Sequence, residues 1–591
     1  MRSLVTSSGQ RHRFLQRILD RPGVWGIISY SVALYYASFI LDYHNAEHTR
    51  ISEHALMPGL VTEKFDKDGL AAEYLQGLRI NLDKQNFICE KMKHVGLLCH
   101  TQRWWSTTRV MNVSGTNTYA VIRAPRATGV EAMLFAVDIS QREATAMVMA
   151  YAAFARQQIY WARDLFFVFV DGGAAGMDAW LSQYHLVQHT ALTSHSLHEM
   201  GGVLIGGIVM KTYTLKTSKE PFVMLELNHL NGQLPNLDLF NSVVRIAGKG
   251  TFSLQSIVYD VRDEEMGGED WHFLVPLRAM YTQAFVAIEG LHSVMGKYGV
   301  QAVTVETPSL TAYPLRQSTR LLEAIARSLN NVLERFHQSY FLYILASPDN
   351  FVSIAYFMPI IGGVLLPLLI FAYRDWTYLC SVTLPRSLLV VHSIGIFTWW
   401  LCSTHFSAFT KNAHADIVYL AVSTLVPWGL LIPTSVTEIR SLRFLLLLEC
   451  ALASVAVALL NFSLALAFAM VATPVLIKLT DDSGDRSRAL LRSALALGCH
   501  PFGIYALFMV YGRPFLEYHE KPFVIEMHSF INALFRLVEE HLVYGSCVLP
   551  LLLVLVLPMW NMMLALTITR TKTLLQNERQ VRQDSADRVN Q

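Results

Sequence analysis

The chain has 591 residues, enough for several domains, with 52% apolar and only 16% charged residue types. Soluble globular proteins carry roughly 25% charged residues, so this composition excludes a disordered chain, a coiled coil and an ordinary cytosolic enzyme, and points to a membrane protein with a folded extramembrane part. A net charge of +2 argues against a basic nucleic-acid-binding face, and seven cysteines without a CxxC pair exclude a disulfide scaffold or cysteine-rich zinc module.

The first element is an apolar run from Pro22 to Leu41, long enough to cross a hydrocarbon core of about 30 Å. Arg2, Arg11, Arg13, Arg17 and Arg21 precede it, and no small-residue cleavage site follows. This pattern predicts an uncleaved signal anchor with 1–21 in the cytosol. From 42 to 350 no run qualifies as a span, which predicts one extramembrane domain. After it come further candidate spans at 351–373, 386–404, 415–434, 443–460, 462–479, 489–511 and 544–568. The pair meeting at Asn461 reads either as a hairpin or as one segment. Basic residues concentrate in alternate loops and in the tail 569–591. The positive-inside rule therefore predicts about eight spans with both ends cytosolic and the domain 42–350 in the lumen or outside. Loop 512–543 carries Phe515, Tyr518, Phe523, Phe530 and Phe535 and reads as an amphipathic segment on the luminal side.

Within 42–350, strand-like runs at Thr118–Ile122, Ala132–Val137, Leu165–Val170 and Phe222–Leu227 alternate with helical runs at Ala144–Gln157 and Gly176–Tyr184. The continuous LFFVFV run reads as a strand buried on both faces. The order predicts an α/β sandwich with a mainly parallel sheet.

Ligands of such sheets gather at strand carboxyl ends. The two strand ends that can be placed carry Asp138 and Asp171 but no histidine. A hydrolytic zinc site needs three protein ligands and a base. His185, His189, His195 and His198 cluster elsewhere without an HExxH motif, so capping and surface roles compete with metal binding there. GxSxG, P-loop and post-strand GxGxxG signatures are missing. Cys89 has His94 and His100 nearby, a conceivable dyad or ordinary helix neighbours. In an oxidising lumen Cys89 and Cys99 could pair; the alternative is two buried thiols. Asn112-Val113-Ser114 is a glycosylation sequon on that side.

Several stretches carry a family resemblance: Ile51-Ser52-Glu53-His54-Ala55-Leu56 after the first span, Met111 to Tyr119, Ile122 to Arg126, Leu230 to Asn241 with its NGQLPNLD core, and Leu333 to Tyr343. Together with the order span, luminal domain, bundle of spans, they resemble the GPI-anchor attachment subunits (GAA-type) of GPI transamidase. The resemblance implies a luminal domain of zinc-aminopeptidase-like fold lacking zinc ligands, in a complex of the endoplasmic reticulum membrane. It implies no catalytic site and no cofactor or metal of the chain's own. The implied partners are the other transamidase subunits, including the cysteine-protease catalytic subunit, the GPI lipid, and proproteins with C-terminal GPI signals. Where the aminopeptidase pattern has His-x-Asp and Glu-Glu, this chain has Val137-Asp138-Ile139 and Val170-Asp171-Gly172-Gly173. Near the first span Arg50 and His54 stand where the family suggests Tyr and Asn.

A GPI lipid offers acyl chains, sugars and phosphates. Prolines break helices and open grooves between spans. Candidates are Pro359, Pro367, Pro427, Pro433, Pro474, Pro550 and Pro558; the resemblance places GPI recognition at Pro558, with Asn561 one turn on. At headgroup level Arg50 and Ser52 could hold a phosphate and Glu53 the ethanolamine ammonium, with His54 a neighbouring lipid-binding candidate; Ser52 equally suits a helix cap. Asn231, Gln233, Pro235, Asn236 and Asp238 read as a fixed turn, or as a contact with a partner or substrate. Two competing readings remain: a polytopic endoplasmic-reticulum metallopeptidase with a divergent luminal zinc site, and a lipid transporter, for which Glu449 is the clearest charge within a span.

Overall fold

The computed structural model describes residues 16, 18–42, 44–51, 63–65, 69–107, 113–125, 129–214, 221–249, 252–259, 261, 273–286, 288, 290–309, 315–332, 342–379, 384–409, 436–480, 486–516 and 527–569. Ser52, Glu53, His54, Asn112, Pro427, Pro433 and the candidate span 415–434 lie outside them. The chain forms two compact units. One gathers 1–39, 355–541 and 547–591; the other gathers 40–354 and 542–546.

The second unit is built on a sheet of nine strands in the order β6-β2-β3-β5-β4-β7-β10-β8-β9. Its strands are β2 (Cys99–Ser106), β3 (Ser114–Ile122), β4 (Glu131–Asp138), β5 (Asp164–Val170), β6 (Leu192–Ser194), β7 (Val203–Tyr213), β8 (Phe222–Glu226), β9 (Gln255–Val258) and β10 (Ala302–Pro308). The centre, β5-β4-β7-β10, is parallel. Beyond it β3 pairs antiparallel to β5, β2 to β3 and β8 to β10. The sheet is thus mixed, parallel in the middle and again at one edge, where β9 pairs parallel to β8. The short 107–113 connection explains one side, because it can join β2 to β3 only as a hairpin.

The central strands alternate between two cores. Met133, Phe135 and Val137 of β4 and Leu165, Phe167 and Phe169 of β5 pack with the helices Leu70–Ile80, Arg142–Arg156, Leu237–Ala247 and Leu315–Asn330. Leu134, Ala136, Phe166, Val168 and Val170 face the opposite way, onto Gly173–Tyr184 and Leu291–Met295. A period of two with both parities apolar requires a layer on each face, which is why the LFFVFV run is wholly buried. β7 and β10 lie at the heart of the sheet yet have no counterpart among the sequence expectations. In β7 the pair Gly206-Gly207 looks like a breaker, but a methyl on Gly207 would stand 3.1 Å from Met295 Sδ and 3.3 Å from Ala302 Cβ. The glycine lets a helix and a strand close in. A small antiparallel sheet, β1 (Glu47–His48), β12 (Asn350–Ser353) and β11 (Tyr343–Ser347), completes the unit.

In the first unit, six helices among the described residues are long and apolar enough to cross a membrane: α1 (Pro22–Leu41), α2 (Ile354–Tyr378), α3 (Arg386–Phe409, apolar through Thr404), α4 (Val436–Ala458), α5 (Phe462–Leu479) and α6 (Val548–Thr569). Asn461 separates α4 from α5, its side chain accepting the Leu464 N–H at 3.0 Å as an N-cap. That pair is therefore two helices. The candidate 489–511 is divided into Arg486–Gly498 and Pro501–Leu516, because Pro501 cannot continue a helix. Loop 512–543 contains the helix Met527–Glu539.

Candidate functional site

In the sheet unit the strand carboxyl ends surround a cavity of about 250 Å³, bordered by Asp138, Gln141, Lys211, Glu226 and Thr304. Lys211, at the end of β7, places its Nζ 2.7 Å from Glu226 Oε1 and 3.8 Å from Glu306 Oε2. Asp138 accepts the Ser140 N–H at 2.7 Å. Asp171 is drawn the other way: its Oδ2 accepts from Gln85 Nε2 and the Thr116 N–H, each at 3.0 Å. The two aspartates that an aminopeptidase pattern would use are thus not brought together on one ligand. A lysine cation occupies the carboxylate cluster in their place, and among the described residues no three His, Cys, Asp or Glu converge as metal ligands. This donor set does not fit a hydrolytic zinc. Lys211 was detectable in sequence only as the first charge after an apolar run; its pairing with Glu226 and Glu306 was not.

Beneath the cavity, His229 and His292 are fully buried. His229 Nε2 donates to the Ala302 carbonyl at 2.9 Å, and burial lowers its pKa from 6.5 to about 4. His292 Nδ1 lies 2.8 Å from Thr304 Oγ1; burial, then His229 and Lys211, hold it well below the ordinary range.

The sequence-noted histidines pack and hydrogen-bond within the sheet unit. His185 ends the helix Gly173–Tyr184 and stacks on Tyr298. His189 Nδ1 accepts the Ala191 and Leu192 N–H groups, so Nε2 carries the proton and donates to Asp178 at 3.0 Å. Asp178 is fully buried and also meets Lys297 Nζ at 3.1 Å and Tyr298 OH. Burial alone would raise its pKa; the His189, Lys297 and Tyr298 contacts bring it below the ordinary value. His198 and Glu199 offer their backbone N–H groups to Tyr119 OH, and His195 stands edge-on to Trp105.

Cys89, on the helix Lys84–His94, and Cys99, opening β2, form a disulfide. A disulfide leaves no thiolate for a Cys–His dyad. In the NGQLPNLD turn, Asn231 takes φ 62° and Gly232 φ 72°. Pro235, Asn236 and Asp238 are buried, whereas Gln233 is exposed and Asn231 half-buried. Tyr343 OH donates to the Pro235 carbonyl, and Asn236 caps the following helix by accepting the Asp238 N–H at 2.8 Å. The surface of this turn that remains for a partner is Gln233 with part of Asn231. Arg50 is exposed, its carbonyl accepting from Asn241 Nδ2 at 2.9 Å.

In the helical unit, α6 holds Pro550, Pro558 and Asn561 in one span. Leu552–Val556 is a π-helical turn just before Pro558. π-turns inside α-helices frequently mark functional sites. Pro558 and Asn561 are buried, and Asn561 Oδ1 has no hydrogen-bond partner among the described residues. Trp560 Nε1 donates to the Ala496 carbonyl at 2.8 Å. Pro359 and Pro367 stand in α2 and Pro474 in α5. α1 and α2 frame an apolar cavity of about 810 Å³ lined by Trp25, Val32, Tyr36, Pro359, Leu366 and Tyr373 among others. Glu449 is paired with His392 at 3.0 Å.

Residues 114–564 match the family described as Gaa1-like, GPI transamidase component. The chain is 26% identical over 324 residues to the GPI transamidase component GAA1 of Saccharomyces cerevisiae, covering 53% of this chain and 50% of that protein. It is 26% identical over 360 residues to the GPI transamidase component gaa1 of Schizosaccharomyces pombe, covering 56% and 60%. The chain thus spans between half and three-fifths of the length of these relatives. Similar solved structures include a Fimbriiglobus ruber glutaminyl cyclase (TM-score 0.32, 13% identity, 47% of this chain and 98% of that one). A leucine aminopeptidase precursor of Bacteroides thetaiotaomicron is another (TM-score 0.28, 11% identity, 46% and 99%).

Proposed function

Because this chain belongs to the Gaa1-like, GPI transamidase component family, we propose that it is the subunit that binds the GPI lipid and presents it for attachment to proprotein C-termini, with no catalytic site of its own. The observation that carries this reading is α6, a span opened by a π-turn and by Pro558, with the buried amide of Asn561 one turn on. An opened helix offers polar groups at membrane depth only where something else covers them. The lysine among the strand-end carboxylates supports the non-catalytic part of the reading, since a fixed ammonium there opposes a bound cation.

On this reading the partners are the other transamidase subunits, including its cysteine protease, and the membrane is that of the endoplasmic reticulum. The anchor 22–41 and the spans of 351–568 cross that membrane, 42–350 lies in the lumen, and 1–21 and 569–591 are cytosolic. Arg50 and the neighbouring Ser52, Glu53 and His54 then meet the lipid headgroup, Gln233 and Asn231 meet a partner, and Asn112 carries a glycan.

The test is a tagged pulldown from digitonin-solubilised membranes, with mass spectrometry of protein and lipid, comparing wild type with Pro558→Leu. Co-purification of the protease subunit and GPI, with selective loss of GPI in the variant, is the expected result. Absence of transamidase subunits from the wild-type eluate overturns the assignment.

A further inference from the structure

Helices α1 and α2 meet along a narrow seam and part beside it. A methyl on Gly26 of α1 would stand 3.3 Å from Pro367 Cβ of α2, and one on Gly363 of α2 would stand 2.7 Å from Ala33 Cβ. Between these points Ser29 Oγ donates to the Gly363 carbonyl at 2.8 Å. Small residues thus bring the two backbones together. One position round each helix the residues are large. Trp25, Val32 and Tyr36 on α1 and Leu366 and Tyr373 on α2 border the cavity of about 810 Å³. Its lining starts at Ile18 and ends at Tyr36, a run of about 27 Å along α1. Apolar cavities stay dry. A helix about 10 Å across and of that length fills about 2,000 Å³, so the groove suits hydrocarbon chains and not another span.

The groove has a charged end. Arg21 stands four residues before Trp25 on the same stripe, and its carbonyl accepts the Trp25 N–H at 3.3 Å, as in a helical turn. Its side chain is exposed. Residues 1–21 contain five arginines against one acid, Asp20, which as the neighbour of Arg21 faces another way round the helix. The seam contacts Gly26–Pro367 and Ala33–Gly363 run the helices antiparallel and set Arg21 level with Tyr373 and Arg374. Arg374 meets Asp375 Oδ1 at 3.4 Å, and Arg443 meets Asp375 Oδ2 at 3.4 Å. Two cations share one carboxylate, so these three residues sum to a positive charge. Past the other end of α1 the first charged residue is Asp42. An anionic headgroup is therefore attracted to one end of the groove only.

We infer that the α1–α2 groove seats the acyl chains of an anionic glycerophospholipid, with its phosphate at Arg21 and Arg374. This lipid is distinct from the GPI proposed at Pro558. It adds to the hold on α1 provided by the seam and by Tyr30 OH, which donates to the Met470 carbonyl at 2.9 Å. Its assignment to the cytosolic leaflet rests on the topology proposed above; the site itself does not.

The test uses the full chain, purified within its complex and placed in nanodiscs of phosphatidylcholine and phosphatidylserine, the phosphatidylserine carrying a diazirine at its acyl end. Photolysis should label peptides from 18–36 and 359–373. Val32→Trp, which fills the groove, should lower that labelling about tenfold. Val24→Trp, exposed on α1 but outside the lining, should not. Arg21→Gln should lower it about fivefold, the effect of one basic residue at an anionic surface, and Arg21→Lys should restore it. With the diazirine moved to phosphatidylcholine, labelling should be weak and indifferent to Arg21→Gln. Pro558→Leu should leave labelling intact; its loss there would merge the two sites and overturn the inference. Equal labelling by both lipids, or labelling unchanged in Val32→Trp, overturns it too. So does a Val32→Cys cross-link to 415–434 or to another subunit, which would put protein in the groove. Should Val32→Trp fail to assemble, the Arg21 variants and the headgroup comparison decide alone, since Arg21 precedes the span.

Discussion

Gly395 and Pro558 pack with no space for a side chain between them: a methyl on Gly395 would lie 3.1 Å from Pro558 Cγ and 2.5 Å from the Leu553 carbonyl oxygen. The obstructing oxygen belongs to backbone, which cannot swing aside, so α3 must move away from α6 if position 395 gains a side chain. Gly395→Val is expected to destabilise the helical unit by about 1–3 kcal/mol and to lower GPI recovery. Gly362→Ala on α2, where nothing among the described residues stands within 4 Å, is the matched control. Thermal unfolding of both variants in detergent checks this; equal midpoints would refute the close packing.

The Cys89–Cys99 disulfide closes a loop of ten residues' separation. Chain-entropy arguments assign such a cross-link about 3 kcal/mol. Cys89→Ser with Cys99→Ser is expected to lower the melting temperature of the sheet unit and to make it insensitive to dithiothreitol. A wild-type midpoint unaffected by reductant would contradict the pairing.

His229 makes acid a denaturant of the sheet unit. An unfolded chain protonates this side chain near its ordinary 6.5, whereas the fold resists until about 4. Between those values the unfolded state binds more protons. The stabilisation present above about pH 6.5 is therefore lost as pH falls towards 4, to the extent of about 3 kcal/mol. His292, also lowered, acts in the same direction. His229→Gln is expected to flatten the slope in full-length protein, read by hydrogen exchange in β7 and β10. The same acid sensitivity in this variant would exclude His229 as its source.

Asn236 separates a folding role from a binding role. It is fully buried, and its side chain caps the helix Leu237–Ala247. Asn236→Ala should cost about 1 kcal/mol of stability. Gln233→Ala, at an exposed position of the same turn, should leave stability unchanged and weaken recovery of partner subunits. Differential scanning fluorimetry paired with quantitative pulldown distinguishes the two; a destabilised Gln233→Ala would undo the assignment.

The layers were legible where the signal is local. The LFFVFV run became β5, the run beginning at Ala144 became a helix, and 462–479 became α5 at its expected bounds. Burial on both faces of a strand, or an uninterrupted apolar span, leaves its mark in consecutive residues. β7 escaped because its glycine pair answers to Met295 and Ala302, which arrive from far along the chain.

The sequence by itself determined that this chain has an apolar helical unit and an α/β unit, and which residues line the strand interiors, because hydrophobic period is imposed residue by residue. Only the tertiary structure decided that Lys211 sits among Glu226 and Glu306, that Asp171 is spent on Gln85 and Thr116, and that Gly395 packs against the Leu553 carbonyl and Pro558. Those pairings join separate strands and helices, and their distances follow from packing of whole layers rather than from any local preference of the residues themselves.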